Sequence, residues 1–444
     1  MRPSIINSYA EAASRERAET HPTIPACRPV LPTGGAMMQR TAFLLCVTAL
    51  FSSSLAQQPA AEEEEAEDEI PVELFTTPTS KMAAATSDFG YNLFRQMAGS
   101  DPKASVLLSP ISVSAALTQL SMGASSESER QLYRVLRYHN LWDPQLHNTL
   151  RDLLVSLRTP DKGFSSAARV FIERRLRVRL DYLNAVEKQY GVRPKVLFGS
   201  VRDVKEINDW VKQQTGSKMD RFLTSPFPRG PGLVSLSAGY FKGRWVTRFT
   251  QSGKLEDFNV EGASPVKVAM MKEDRYPIKM GVDSDLGCTI AQVPMDGEVS
   301  MIFFLPDEVT TNTSLIEEAL TAEFVQDLAM TLHPVRVEVT LPVLKLSYST
   351  DLLTSLSNMG PSDWLAQTDL QKISTQAIKV STVRHKVAME TAPEGSQYPN
   401  FQPSTSNQAL AISFRVDRPF IFLVRDEKSG ALLLIGKVLN PRNL

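Results

Sequence analysis

The sharpest chemical signal in this chain is cationic. The stretch "ERRLRVRL", residues 173–180, carries Arg174, Arg175, Arg177 and Arg179. On an extended strand Arg175, Arg177 and Arg179 share one face and Arg174 takes the other. Guanidinium forks match sulfate as they match phosphate, so a glycosaminoglycan such as heparin or heparan sulfate fits the cluster. Such binding weakens steeply with salt. Lys188, Arg193 and Lys195 extend the patch. The plainer reading is a solvated edge strand whose charges discourage aggregation. An anionic pair, Asp283 and Asp285 in "VDSDLG", points one way on an extended chain. From the residues alone surface solvation is the safer reading, and no calcium-loop signature surrounds the pair. Asn312-Thr313-Ser314 is a glycosylation sequon set before a helical pattern.

Catalytic spacing is missing. There is no nucleophile elbow, no His-Glu-x-x-His, no paired Cys-x-x-Cys and no glycine-rich phosphate loop. His139, His147, His333 and His385 stand apart from one another, without metal-ligand spacing. His385, alone in an alternating strand pattern, reads as structural. The expectation is a protein that is not an enzyme and needs neither cofactor nor metal.

Four segments organise the chain. "MMQRTAFLLCVTALFSSSLAQQPA" has one arginine, a short apolar run and small residues before Gln57. This is the layout of a secretory signal peptide, residues 37–56, with cleavage near Ala56. Initiation is then expected at Met37 or Met38, with 1–36 as an upstream extension. Residues 57–80 form an acidic tail around "EEEEAEDE", of a composition that favours disorder. Residues 81–444 form one large domain. Processing leaves Cys288 alone of three cysteines, so no internal disulfide forms and the core must hold the fold. Its apolar setting, "LGCTIAQV", predicts a buried, inert thiol. The net charge of the whole chain is −1, which supplies no global drive toward nucleic acid or membrane.

Helical periodicity covers "SKMAAATSDFGYNLFRQMAGS", the segment after Ser109-Pro110, and about 126–137, 144–158, 180–190 and 203–215. "LVSLSAGYFKGRW" reads as a buried strand, as do "TIAQVPM" and "SMIFFLP" around Gly297. "TSLIEEALTAEFVQDLAM" reads as a helix pair, and "VEVTLPVLKLSYS" and "AIKVSTVRHKVAMET" alternate as strands. "ALAISF" and "FIFLV" follow as two further apolar strand runs. Helices gather early and strands late, with no βαβ alternation, which argues for α+β with mainly antiparallel sheets.

Five stretches in order resemble signatures of the serpin family: "SVLLSPISVSAALTQLSMGAS", "INDWVKQQTGSKMDRFL", "AGYFKGRWVTRF", "VTLPVLKLSYSTDL" and "RPFIFLVRDEKSGALLLIGKVLNP". They span Lys81 to Pro441. The resemblance implies about nine helices, three β-sheets and a reactive loop near the C-terminus. In inhibitory members a protease cuts that loop, which then inserts as a new strand into the main sheet. Such loops begin Glu-Gly-Thr/Ser and continue with small residues. Here Glu394, Gly395 and Ser396 match the start. Gln397 follows, and then Tyr398, Pro399, Asn400, Phe401, Gln402 and Pro403 depart from the pattern. Proline has no N–H and is essentially excluded from central strands. Each one forfeits a ladder bond worth on the order of 1 kcal/mol. The loop is also short, which leaves a scissile bond near Gln408-Ala409 uncertain.

The acidic tail, "RRLRVR", "DSDLGC" and the C-terminal "GALLLIGKVLNPRNL" further resemble a secreted, non-inhibitory member. That likeness implies an extracellular, monomeric ligand with neurotrophic and anti-angiogenic roles, acting through cell-surface receptors that meet the early helices around Asp88 to Asp152. It assigns heparin to Arg174, Arg175 and Arg177, collagen to Asp283, Asp285 and Asp327, and a glycan to Asn312. Two rival classes stand beside it: a serine-protease inhibitor of the suicide-trap type, and a carrier of a hydrophobic ligand.

Overall fold

The computed structural model describes residues 74–227, 232–361, 364–397 and 412–442. Among them are nine α-helices: α1 (Pro78–Ser100), α2 (Pro110–Ser121), α3 (Ser126–Val135), α4 (Leu146–Ser156), α5 (Leu180–Tyr190), α6 (Val201–Gln214), α7 (Ser314–Ala319), α8 (Ala322–Thr331) and α9 (Leu353–Ser357). The strands are β1 (Val106–Leu108), β2 (Phe164–Glu173), β3 (Lys195–Leu197), β4 (Gly232–Phe241), β5 (Trp245–Thr247), β6 (Thr250–Phe258), β7 (Val266–Asp283) and β8 (Cys288–Met295). They continue as β9 (Val299–Pro306), β10 (His333–Pro342), β11 (Lys345–Asp351), β12 (Lys379–Glu390), β13 (Gly395–Gln397), β14 (Ser413–Arg415), β15 (Phe420–Asp426) and β16 (Leu432–Val438).

Local chemistry sets the helix starts. Thr77 and Ser80 form a reciprocal capping box before α1, with Pro78 in its first turn. Ser200 and Asp203 do the same for α6. Pro110 opens α2, all twelve residues of which are buried, so this helix lies inside the protein rather than on it.

Two hydrogen-bonded sheets result. One has five strands in the order β11-β12-β4-β2-β3. The other has eleven, because the long strand β7 pairs with β6, β8 and β10 and joins two of the three expected sheets into one ladder. Most pairings are antiparallel; β2–β3, β4–β12, β5–β13 and β10–β14 run parallel.

Strand β4 is buried on both faces. One face meets the main core beneath α2. The other carries Val234, Leu236 and Ala238 into a second apolar cluster with Ile207 and Val211 of α6 and Met219, Phe222 and Leu223 after it. Each such side chain adds about 1.5–3 kcal/mol when fully buried. This double cover explains why β4 carries buried residues at every position, apolar but for Ser235 and Ser237.

Candidate functional site

The site is the junction of β4 and β12 together with the chain that leaves it. β12 lies directly beside β4, in parallel register from Lys379↔Gly232 to Met389↔Phe241, with one irregularity at Ser381. An inserting strand would have to part these two. Val383, His385, Val387 and Met389 point into the core with no exposure.

His385 anchors a polar plug beneath the junction. Its Nε2 accepts the Ser109 backbone N–H at 3.1 Å, and its Nδ1 lies 2.8 Å from Ser237 Oγ on the facing β4 position. An accepting Nε2 puts the proton on Nδ1, which then donates to Ser237. Ser109 Oγ bonds Ser112 Oγ and the Leu433 carbonyl. Burial holds the imidazole down to about 3, so it is neutral here. Protonation would set an N–H against the Ser109 N–H. Gly239 lets β4 approach α2: a Cβ there would stand 2.6 Å from Ser109 Cβ.

Past β12 the chain crosses to another strand. The Trp245 N–H donates to the Glu394 carbonyl (3.2 Å), Arg248 N–H to Gln397 (2.9 Å) and Phe249 N–H to Pro393 (3.0 Å). Trp245 Nε1 donates to the Ala392 carbonyl at 2.8 Å. Gly395–Gln397 thus form β13, parallel to β5. Ser396 Oγ donates to Asp296. Gly395 is required by close approach, since a Cβ would lie 2.4 Å from Arg248 N. Beneath this latch Trp245 meets Phe249 edge-on, and Phe249 stacks on Tyr276 with centroids 4.8 Å apart. Glu394, Gly395 and Ser396 are therefore held outside the five-stranded sheet. Tyr398, Pro399, Phe401, Pro403 and the bond at Gln408-Ala409 lie outside the described residues.

The arginine cluster departs from the strand expected of it. β2 ends at Glu173, and residues 174–176 turn. Glu173 causes the turn: its carboxylate accepts the Arg175 N–H at 2.9 Å and its carbonyl accepts the Leu176 N–H at 3.1 Å, while Leu176 is buried. Alternate-face geometry is thus lost. Arg174, Arg175, Arg177 and Arg179 nevertheless remain exposed on one short segment. Only Arg175 has a side-chain partner among the described residues, Glu173 at 3.8 Å. Arg193 and Lys195 are engaged by Glu187 and Glu206, each at 2.5 Å, so they extend the patch less than expected.

The aspartate pair also turns. Asp283 ends β7, and its Oδ1 accepts the N–H groups of Asp285 (3.1 Å) and Leu286 (2.9 Å). With Gly287 at φ 58° this makes a tight connection to β8, and Asp285 does not continue an extended chain. Lys279, Gly281 and Asp283 alternate onto one side of β7. Lys279 Nζ reaches the Ala329 carbonyl at 2.8 Å, and a Cβ on Gly281 would sit 2.9 Å from Leu332. α8, which carries exposed Asp327, therefore abuts that side. Asn312 is exposed just before α7, with its Oδ1 accepting from Ser314 Oγ at 2.8 Å.

Cys288 is buried and free, and burial with Asp283 and Asp307 nearby pushes its thiol up to about 12, as suits an inert side chain. His147 is held between Tyr190 and Tyr133, whereas His139 and His333 are exposed. Sequence reasoning missed Ser109 and Ser237 as partners of His385, and Ser112 as the partner of Ser109. Their signal was serine recurring within otherwise apolar segments that must be buried.

Residues 84–441 match the family model described as "Serpin (serine protease inhibitor)". The chain is 42% identical over 373 residues to pigment epithelium-derived factor of Bos taurus, covering 83% of this chain and 89% of that protein. It is 39% identical over 421 residues to pigment epithelium-derived factor of Homo sapiens, covering 91% and 100%. Among solved structures, uncleaved ovalbumin superposes with a TM-score of 0.72 at 24% identity, covering 81% of this chain and 100% of that one.

Proposed function

The chain belongs to the serpin family, and we propose that within it this protein is a secreted, monomeric extracellular ligand rather than a protease trap. One observation carries the reading. The start of the loop is latched on β5 by main-chain hydrogen bonds, beside a sheet in which β12 and β4 are already paired. A trap must release that latch, part the junction and thread a new strand before the acyl-enzyme hydrolyses. Pro399 and Pro403 would then each deny the new strand a donor. Likeness to two proteins named pigment epithelium-derived factor supports the same side. The neurotrophic and anti-angiogenic roles implied by that likeness, with cell-surface receptors as partners, complete the proposal. Secretion rests on the signal layout at 37–56. Among the described residues no helix is long and apolar enough to cross a membrane.

Matrix retention is the second part. Arg174, Arg175 and Arg177 would bind heparin or heparan sulfate through charge-assisted hydrogen bonds. Asp283, Asp285 and Asp327 would meet basic side chains of collagen, and Asn312 would carry a glycan. Replacing all three arginines with alanine is expected to weaken heparin binding by at least about tenfold at low salt and to flatten its salt dependence. Unchanged retention on immobilised heparin would remove that assignment.

The deciding experiment is a thermal melt of the mature protein before and after a single cut within 398–410. The expected melting temperature is unchanged. A large rise on cleavage, or a denaturant-resistant covalent complex with a serine protease, would return the protein to the suicide-trap inhibitors.

A further inference from the structure

We propose that the cleft at the base of α7 seats the first sugar of a glycan carried by Asn312, so that this glycan is a packed part of the fold. The inference rests on the sequon reading of Asn312 and adds where its sugar lies. Asn312 itself lines a cleft between the β7–β8 turn and the loop from β9 to α7. Leu286, Pro306 and Leu315 form its apolar surface, and Asp307 and Thr310 supply polar groups. The cleft holds about 330 Å³, within the range of about 300–1,000 Å³ that small ligands occupy.

Several features fit this occupant. Leu315 is 61% exposed, an uncovered aliphatic side chain three residues from the attachment point. A pyranose ring offers an apolar C–H face to such a surface and hydroxyls to carboxylates and threonines around it. N-acetylglucosamine adds a methyl group for the apolar wall and an amide for the polar one. The attachment side chain is already oriented, because Asn312 Oδ1 accepts from the Ser314 backbone N–H at 3.3 Å and from its hydroxyl at 2.8 Å. That leaves Nδ2 as the atom bearing the sugar. The walls are firmly placed: the Asp307 N–H donates to the Gly287 carbonyl at 3.0 Å, joining the two loops that form the cleft. A seated sugar would also cover part of the turn bearing Asp285, so longer glycan branches would extend over the acidic surface.

The test uses the secreted full-length protein in three forms: fully glycosylated, trimmed to a single N-acetylglucosamine, and Asn312→Gln. Intact mass first establishes occupancy. The fully glycosylated and trimmed forms are expected to melt together, and Asn312→Gln several degrees lower. Leu315→Glu keeps the sequon and changes an exposed position. It is expected to speed native-state removal of the glycan by a peptide N-glycosidase about fivefold, the scale of losing one partly buried aliphatic contact. Equal melting of all three forms, or removal as slow from Leu315→Glu as from the unaltered protein, overturns the seat while leaving the sequon reading intact. An unmodified Asn312 overturns both.

Discussion

The same run of chain, residues 379–397, makes two parallel pairings of opposite character. Along β4 the pairing is long, made with a strand that is buried throughout, and underpinned by His385, Ser109 and Ser237. Along β5 it is three residues long, with Ser396 and Gln397 exposed and only Trp245 and its aromatic neighbours beneath. The first is part of the core. The second is a surface latch made mostly of backbone hydrogen bonds, each worth about 0.5–1.5 kcal/mol net. A loop can be held away from a sheet by a weak latch when the sheet itself is closed by a strong junction. A non-trapping loop, as proposed, would then need no large energy at the hinge.

Acid should affect the junction most. The pKa of His385 is depressed in the fold from an ordinary 6.5 to about 3. The folded state therefore binds fewer protons than the unfolded chain across that window. Its contribution is complete above pH 6.5 and declines as pH falls toward 3, by up to about 4 kcal/mol. Urea unfolding of the unaltered protein and His385→Gln at a series of pH values checks this, because glutamine does not titrate. Parallel pH profiles for the two would show that the plug is not the acid-sensitive element.

A smaller effect is expected at Gly239. Valine there meets Ser109 at the closest approach of β4 to α2. The expected loss is about 2–3 kcal/mol of global stability by overpacking, read as a lower urea midpoint with the slope retained.

Smallest is the latch. Gly395→Ala drives a methyl into the Arg248 backbone. The amides of Arg248 and Phe249 should exchange hydrogen about fivefold faster, a local opening of about 1 kcal/mol, with the urea midpoint unmoved. A fall in midpoint matching that of Gly239→Val would erase the distinction between core and latch.

The helix and strand patterns were legible because burial imposes a period, and every helix expected between residues 81 and 331 is present. The two charged clusters were legible as residues but not as geometry. Both expectations assumed extended chain, and in both a carboxylate at the end of a strand captures the next N–H groups and bends it. For Asp283 the turn was written locally, since Asp-Ser-Asp-Leu-Gly is turn chemistry. For Glu173 it was not, because the bend depends on Leu176 entering the core and on Gln376, far along the chain, accepting the Arg177 N–H.

By itself, then, the sequence determined the α+β architecture, the serpin resemblance, and a loop whose prolines lack the N–H donors that a central strand uses, since these follow from periodicity and from missing donors. Only the tertiary structure decided that the hinge pairs with β5, that β12 and β4 close upon each other, and that His385 is buried neutral between Ser109 and Ser237. The reason is distance along the chain. Ser109 and His385 are 276 residues apart, and no local rule of composition or spacing reports a hydrogen bond that exists only once the core has formed.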